Sequence, residues 1–92
     1  MPDVFKALAH PARRKILELL RARDRTAGEL AEAVGEAPST MSGHFAVLKA
    51  ADLVQTERNG TTITYSLNLS VLEEALMTLI GTFHVGEKES KS

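Results

Sequence analysis

Apolar residues recur along most of the chain at helical spacing, and the pattern switches once to a short stretch typical of strands. Val4, Phe5, Ala7 and Leu8 open as a short helix. It must end near His10, because the residue before Pro11 is pushed out of helical backbone angles. Pro11 suits the first turn of a second helix, where its missing N–H would have had no partner. That puts His10 at or near the N-cap. Ile16, Leu17, Leu19 and Leu20 give the second helix a broad apolar side, while Arg13, Arg14, Lys15 and Glu18 populate the rest. A polar connection, Arg21 to Arg25, leads to Thr26 as the next N-cap, and Glu29 three residues on completes a capping box. The helix from Ala27 to Val34 turns Leu30, Ala31 and Val34 inward, and Gly35 stops it. Past Glu36, Ala37 and Pro38, a fourth helix is expected from Ser39 to about Ala50, with Met41, Phe45 and Leu48 on one stripe.

The pattern then changes. Leu53 to Glu57 and Thr62 to Leu67 are rich in β-branched and aromatic residues, and they flank Arg58-Asn59-Gly60-Thr61. Asn-Gly between two such runs is a strong hairpin signal. Ser70 is placed as the cap of a last helix, with Glu73 three residues on, reaching Phe83 or Val85. Two helices joined by a short glycine-containing turn make a helix-turn-helix, and the hairpin behind them makes a wing. The predicted fold class is mainly α with a two-stranded β-hairpin, a winged helix-turn-helix in the order α-α-α-α-β-β-α. Residues 1–86 are expected to form one DNA-binding and dimerisation domain, and the charged segment Glu87 to Ser92 a disordered tail.

Size makes the last helix informative. A chain of 92 residues supports a single, marginal core, and with no cysteine neither a disulfide nor a thiolate site can reinforce it. Leu72, Leu76, Leu79 and Phe83 form one stripe of that helix, and Val71, Ala75, Met77 and Ile80 cover much of the remainder. A helix apolar nearly all round must be buried nearly all round. The expected cover is a second copy, through an interface of Val4, Phe5 and Leu8 from the first helix with Leu72, Ala75, Leu76, Leu79, Ile80 and Phe83 from the last. No segment approaches the ~18 uninterrupted apolar residues of a membrane span, and the N-terminus lacks the pattern of a signal peptide. A cytoplasmic protein without membrane contact is expected. The net charge of −1 combines +1 over residues 1–66 with −2 over residues 67–92. That balance neither requires nor forbids a nucleic-acid partner.

In a helix-turn-helix the second helix presents its N-terminal part to base edges in the major groove. With Met41, Phe45 and Leu48 inward, Ser39, Ser42, Gly43 and Ala46 face outward, and Thr40 lies where N–H groups and hydroxyls can bind phosphate. That face carries no acidic residue. Ser39 and Thr40 can also be read as a helix cap. His44 stands beside the inward stripe and is either a half-buried structural residue or a base reader. Lys49, and Arg58 with Asn59 and Gly60 on the wing, can reach phosphate or the minor groove, or remain solvated. Arg13 and Arg14 are further cationic candidates on the second helix. No nucleophile–base set or phosphate-cradling glycine loop is present, so an enzyme is not expected.

The segments VFKALAHPARRKILELL, TAGELAEAV, APSTMSGHFAVLKAADLV and ERNGTTITYSL, with Ser39 to Val54 the most specific stretch, resemble the ArsR family of winged-helix repressors over about residues 3–85. The FKALA opening and TAGELAE are most like the SdpR-type autorepressors. The resemblance implies a homodimer on an inverted-repeat operator in double-stranded DNA, with the first and last helices at the dimer interface. It also implies a test for metal sensing. The cysteine pair of thiolate sensors would fall on GELAEAV, which has none. Ligands of the last-helix site would fall on Leu69, Val71, Thr82 and Val85, none of them a ligand. A shifted register offers Glu73, His84 and Glu87, a poor set for zinc. No metal and no cofactor are expected. Gly43 stands where relatives usually carry a base-reading side chain, which either lets the backbone approach DNA more closely or weakens discrimination. Two rival readings are a winged-helix module that contacts another protein and a regulator with an effector site between subunits. An unidentified effector or sequestering protein is an open partner.

Overall fold

The computed structural model describes residues 3–83. The ends expected for the domain and tail, and His84 and Glu87, lie outside the described residues. α1 (Val4–Leu8) starts on Asp3, whose Oδ1 accepts the Lys6 N–H at 2.9 Å. α2 (Pro11–Ala22) begins as the proline requires: His10 is the extended N-cap, and its Nδ1 accepts the Ala12 N–H at 3.0 Å. α3 (Ala27–Val34) carries the full capping box. Thr26 Oγ1 accepts the Glu29 N–H at 3.1 Å, and Glu29 Oε1 accepts the Thr26 N–H at 2.9 Å. The bond from the Thr26 backbone, with Arg23 and Arg25 nearby, holds the exposed Glu29 carboxyl below its ordinary pKa. Gly35 ends α3 at φ 82, a left-handed cap that favours glycine.

α4 (Pro38–Ala50) starts one residue earlier than the pattern predicts. Its N-cap is Ala37, with no side-chain cap bond, because Pro38 already has the φ of a first helical turn. The chain leaves α4 through Asp52, at φ 59, and the Leu53 N–H returns to the Leu48 carbonyl at 3.0 Å. β2 (Val54–Asn59) and β3 (Thr62–Leu67) pair antiparallel with Asn59 opposite Thr62. The two turn residues are therefore Gly60, at φ 67, and Thr61, and Asn59 belongs to the strand instead. α5 (Leu69–Phe83) includes Ser70 in its first turn, so Ser70 is not the expected cap.

The sheet is one strand wider than predicted. Arg25–Thr26, read above as the end of a polar connection and a cap, forms β1 and pairs with β3, Arg25 opposite Tyr65 and Thr26 opposite Thr64. The strand order is β1-β3-β2. The winged helix-turn-helix class stands, with the wing rooted on the start of α3. Ile16, Leu30, Met41, Leu48 and Leu53 are fully buried where α2, α3, α4 and the base of the wing meet. Phe45 stacks on Tyr65 with centroids 4.3 Å apart, joining α4 to the central strand.

Candidate nucleic-acid interface

One face of α4 is spent on the core and the other is open. Met41, His44, Phe45 and Leu48 are buried, while Ser39, Thr40, Ser42, Gly43, Ala46 and Lys49 are exposed. Reading Ser39 and Thr40 as a cap fails, since no side chain caps this helix. Their hydroxyls and the N–H groups of the first turn face solvent at the positive end of the helix dipole, a setting that suits phosphate. A Cβ built on Gly43 meets nothing within 4 Å, so nothing inside the chain requires glycine there. The wing extends Arg58, Asn59 and Gly60, all exposed. Among the described residues the one ion pair joins Arg23 to Glu29 at 3.7 Å, so neither Lys49 nor Arg58 is held by a carboxylate.

Two of the expected DNA-contact residues, His44 and Arg14, are engaged by other parts of the chain. His44 is only 8% exposed, tilted against His10 with ring centroids 4.5 Å apart, and its Nδ1 lies 3.4 Å from Nη1 of Arg13. It is the structural residue of the two alternatives, not a base reader. Burial, followed by the neighbouring His10 and Arg13, lowers its pKa, against a smaller opposing pull from Glu36. Arg14 donates from Nη1 to the Leu8 carbonyl at 2.7 Å, closing α1, and lines a shallow cleft with Leu17 and Leu72. Its neighbour Arg13 is the residue that reaches α4.

The second surface runs along α5 and onto α1. Phe5, Leu76, Leu79, Ile80 and Phe83 are exposed, Phe83 at 68%. Leu69 and Met77 are exposed as well; Met77 was counted among the apolar residues of this helix, but neither was placed in the expected interface. Val4, Leu8 and Leu72 are half-buried against the core. Ala75, expected in the interface, is buried within its own chain, on the α5 face that turns toward α1. A groove of about 420 Å³ runs between α1, the end of α4 and α5, floored by Val4, Ala51, Val71 and Ala75. Among the described residues no three histidines or carboxylates come together as a metal site, and no helix is long and apolar enough to cross a membrane.

An open recognition helix, an exposed wing and a bare apolar helix end together define a winged helix-turn-helix DNA-binding regulator. Residues 8–57 match the family model described as a helix-turn-helix domain. The chain is 38% identical to the transcriptional repressor SdpR of Bacillus subtilis (strain 168), over 97% of this chain and 99% of that one. It is 44% identical, over 80% of its length, to an HTH-type transcriptional regulator of Mycobacterium tuberculosis, of which it spans 66%. The solved structure of an ArsR family transcriptional regulator superposes with a TM-score of 0.81, at 24% identity over 94% of each chain. The chain belongs to the ArsR family of winged helix-turn-helix transcriptional repressors.

Proposed function

We propose that the protein is a cytoplasmic homodimer that represses by occupying an inverted-repeat operator, including the promoter of its own gene, and so blocking polymerase. The exposed apolar surface of α5 and Phe5 carries this reading. A patch of that kind on a domain this small calls for a symmetric partner. Pairing there sets two α4 helices toward one duplex, with half-sites about one helical turn, ~34–36 Å, apart. Autorepression rests on the likeness to SdpR-type repressors. Ser39, Thr40 and Ser42 supply direct readout, Lys49, Arg58 and the wing tip hold phosphate, and DNA shape supplies the remaining selectivity.

Titration of duplex from immediately upstream of its own gene, alongside a scrambled duplex, tests the proposal. Binding is expected to prefer the upstream duplex and to fall steeply with salt as counterions are released. A flat salt response removes the DNA reading. Ser42→Ala tests the readout separately. It is expected to narrow the preference over scrambled DNA by about five- to tenfold, the loss of a single base contact of about 1 kcal/mol or more. Unchanged discrimination would take Ser42 out of the recognition set.

A further inference from the structure

One guanidinium holds three elements of this fold together. Arg13, on α2, donates from Nε to the Ala7 carbonyl at 2.9 Å and from Nη2 to the Lys6 carbonyl at 3.1 Å. Both carbonyls lie in the last turn of α1, where Lys6 also accepts the Ala9 N–H at 3.2 Å. The remaining arm, Nη1, meets His44 Nδ1 on α4 at 3.4 Å. His44 is more than nine-tenths buried, and among the described residues its Nε2 has no hydrogen-bond partner. A guanidinium only donates, so Nδ1 is assigned as the acceptor, and the neutral ring carries its hydrogen on the orphaned Nε2.

We propose that Arg13 and His44 are positioning residues for DNA binding, a joint that fixes the recognition helix against α1 and that a proton on His44 opens. The proposal rests on the reading that α4 enters the groove and α1 borders the dimer interface. Protonation turns the acceptor that faces Nη1 into a second donor and places a new cation beside Arg13. The charged and titratable groups around the ring are His10 at the start of α2, Arg13 on α2 and Glu36 in the turn before α4; only Glu36 favours the proton. Burial opposes it as well, so the ring stays neutral to lower pH than a free histidine.

The sign of the effect separates this joint from ordinary electrostatics. Protonated histidines add positive charge, which by phosphate attraction alone tightens DNA binding as pH falls. An opened joint weakens it instead. Two measurements on the full chain between pH 8 and pH 5.5 decide the matter. The first needs no DNA: by NMR, the backbone amides of Ala7 and Leu8 are expected to titrate with the same midpoint as the His44 ring, and Arg13→Lys is expected to break that correspondence. Amides that ignore the His44 titration in the wild type overturn the joint. The second is fluorescence anisotropy with duplex from upstream of its own gene. Wild-type affinity is expected to fall about fivefold or more toward pH 5.5 as the His44 rings of the dimer take up protons. His44→Asn, which keeps an acceptor near the Nδ1 position and cannot titrate, is expected to lose the acid-induced weakening whatever its affinity at pH 8. Wild-type binding that tightens in acid, or His44→Asn that weakens as the wild type does, overturns the proposal. Absence of binding even at pH 8 counts against the operator reading, while the amide titration still decides the joint.

Discussion

Replacing Leu76 and Ile80 together by aspartate is expected to yield a monomer that binds operator DNA about a hundredfold or more weakly, with helical circular dichroism retained. The two residues lie one turn apart on α5, 43% and 44% exposed, in a surface continued by Leu79, Phe83 and Phe5. Burying an apolar side chain completely stabilises by about 1.5–3 kcal/mol. These are already half covered, so each contributes about 1 kcal/mol on pairing, and two-fold symmetry counts every residue twice. The substitution removes that gain and sets four carboxylates into a surface that must lose its water. A monomer also keeps only one recognition helix, so the second half-site no longer binds at the high effective concentration that the pairing supplies. Sedimentation and anisotropy on the same sample check both parts. A variant that still sediments with the wild-type mass would place the interface elsewhere.

Leu48→Ala is expected to cost about 2–5 kcal/mol and to lower Tm by about 10 °C or more, compared at equal chain concentration. Leu48 is fully buried on the inner side of α4, and its carbonyl receives the Leu53 N–H where the chain turns into the wing. A cavity there loosens the recognition helix and the root of the hairpin together. In a domain whose whole stability is about 5–15 kcal/mol, that is a large share. Leu48→Met, close in volume, should recover most of the loss. Thermal denaturation checks it: a shift of under about 2 °C for the alanine variant would mean that α4 is not seated by this side chain.

The elements most legible in the sequence were those whose signals are local. His10-Pro11 and the Thr26–Glu29 box each lie within a few residues, and each start was placed correctly. Signals shared with distant residues were missed. β1 has only two residues, too few for any alternation, and its partners Thr64 and Tyr65 lie some forty positions on. Ser39 and Ser70 both looked like caps by residue type. Pro38 instead begins its helix one residue sooner than expected and Leu69 two, moving each serine inside the first turn. Asn59-Gly60 correctly announced a hairpin, but pairing Asn59 with Thr62 moved the turn one step along. The recognition face was readable from the inward stripe of Met41, Phe45 and Leu48. His44 was not, because one turn of helix puts it equally near groove and core, and its burial against His10 and Arg13 decides between them. The breadth of the apolar surface on α5 was visible from composition alone; Ala75 was misplaced because a helix wheel does not show where α1 lies.

Thr26 serves two structures at once, pairing with Thr64 in the sheet and capping α3. The hairpin is thereby clamped at its root to the first helix of the helix-turn-helix, while past the Thr64 pairing its outer rungs, Arg58 with Ile63 and Asn59 with Thr62, have no third strand beside them. Such a cantilever aims its tip yet leaves the tip compliant. In the docking proposed above, a duplex of uneven groove width would be followed at Asn59 to Thr62 while the angle at which α4 enters the major groove stays the same.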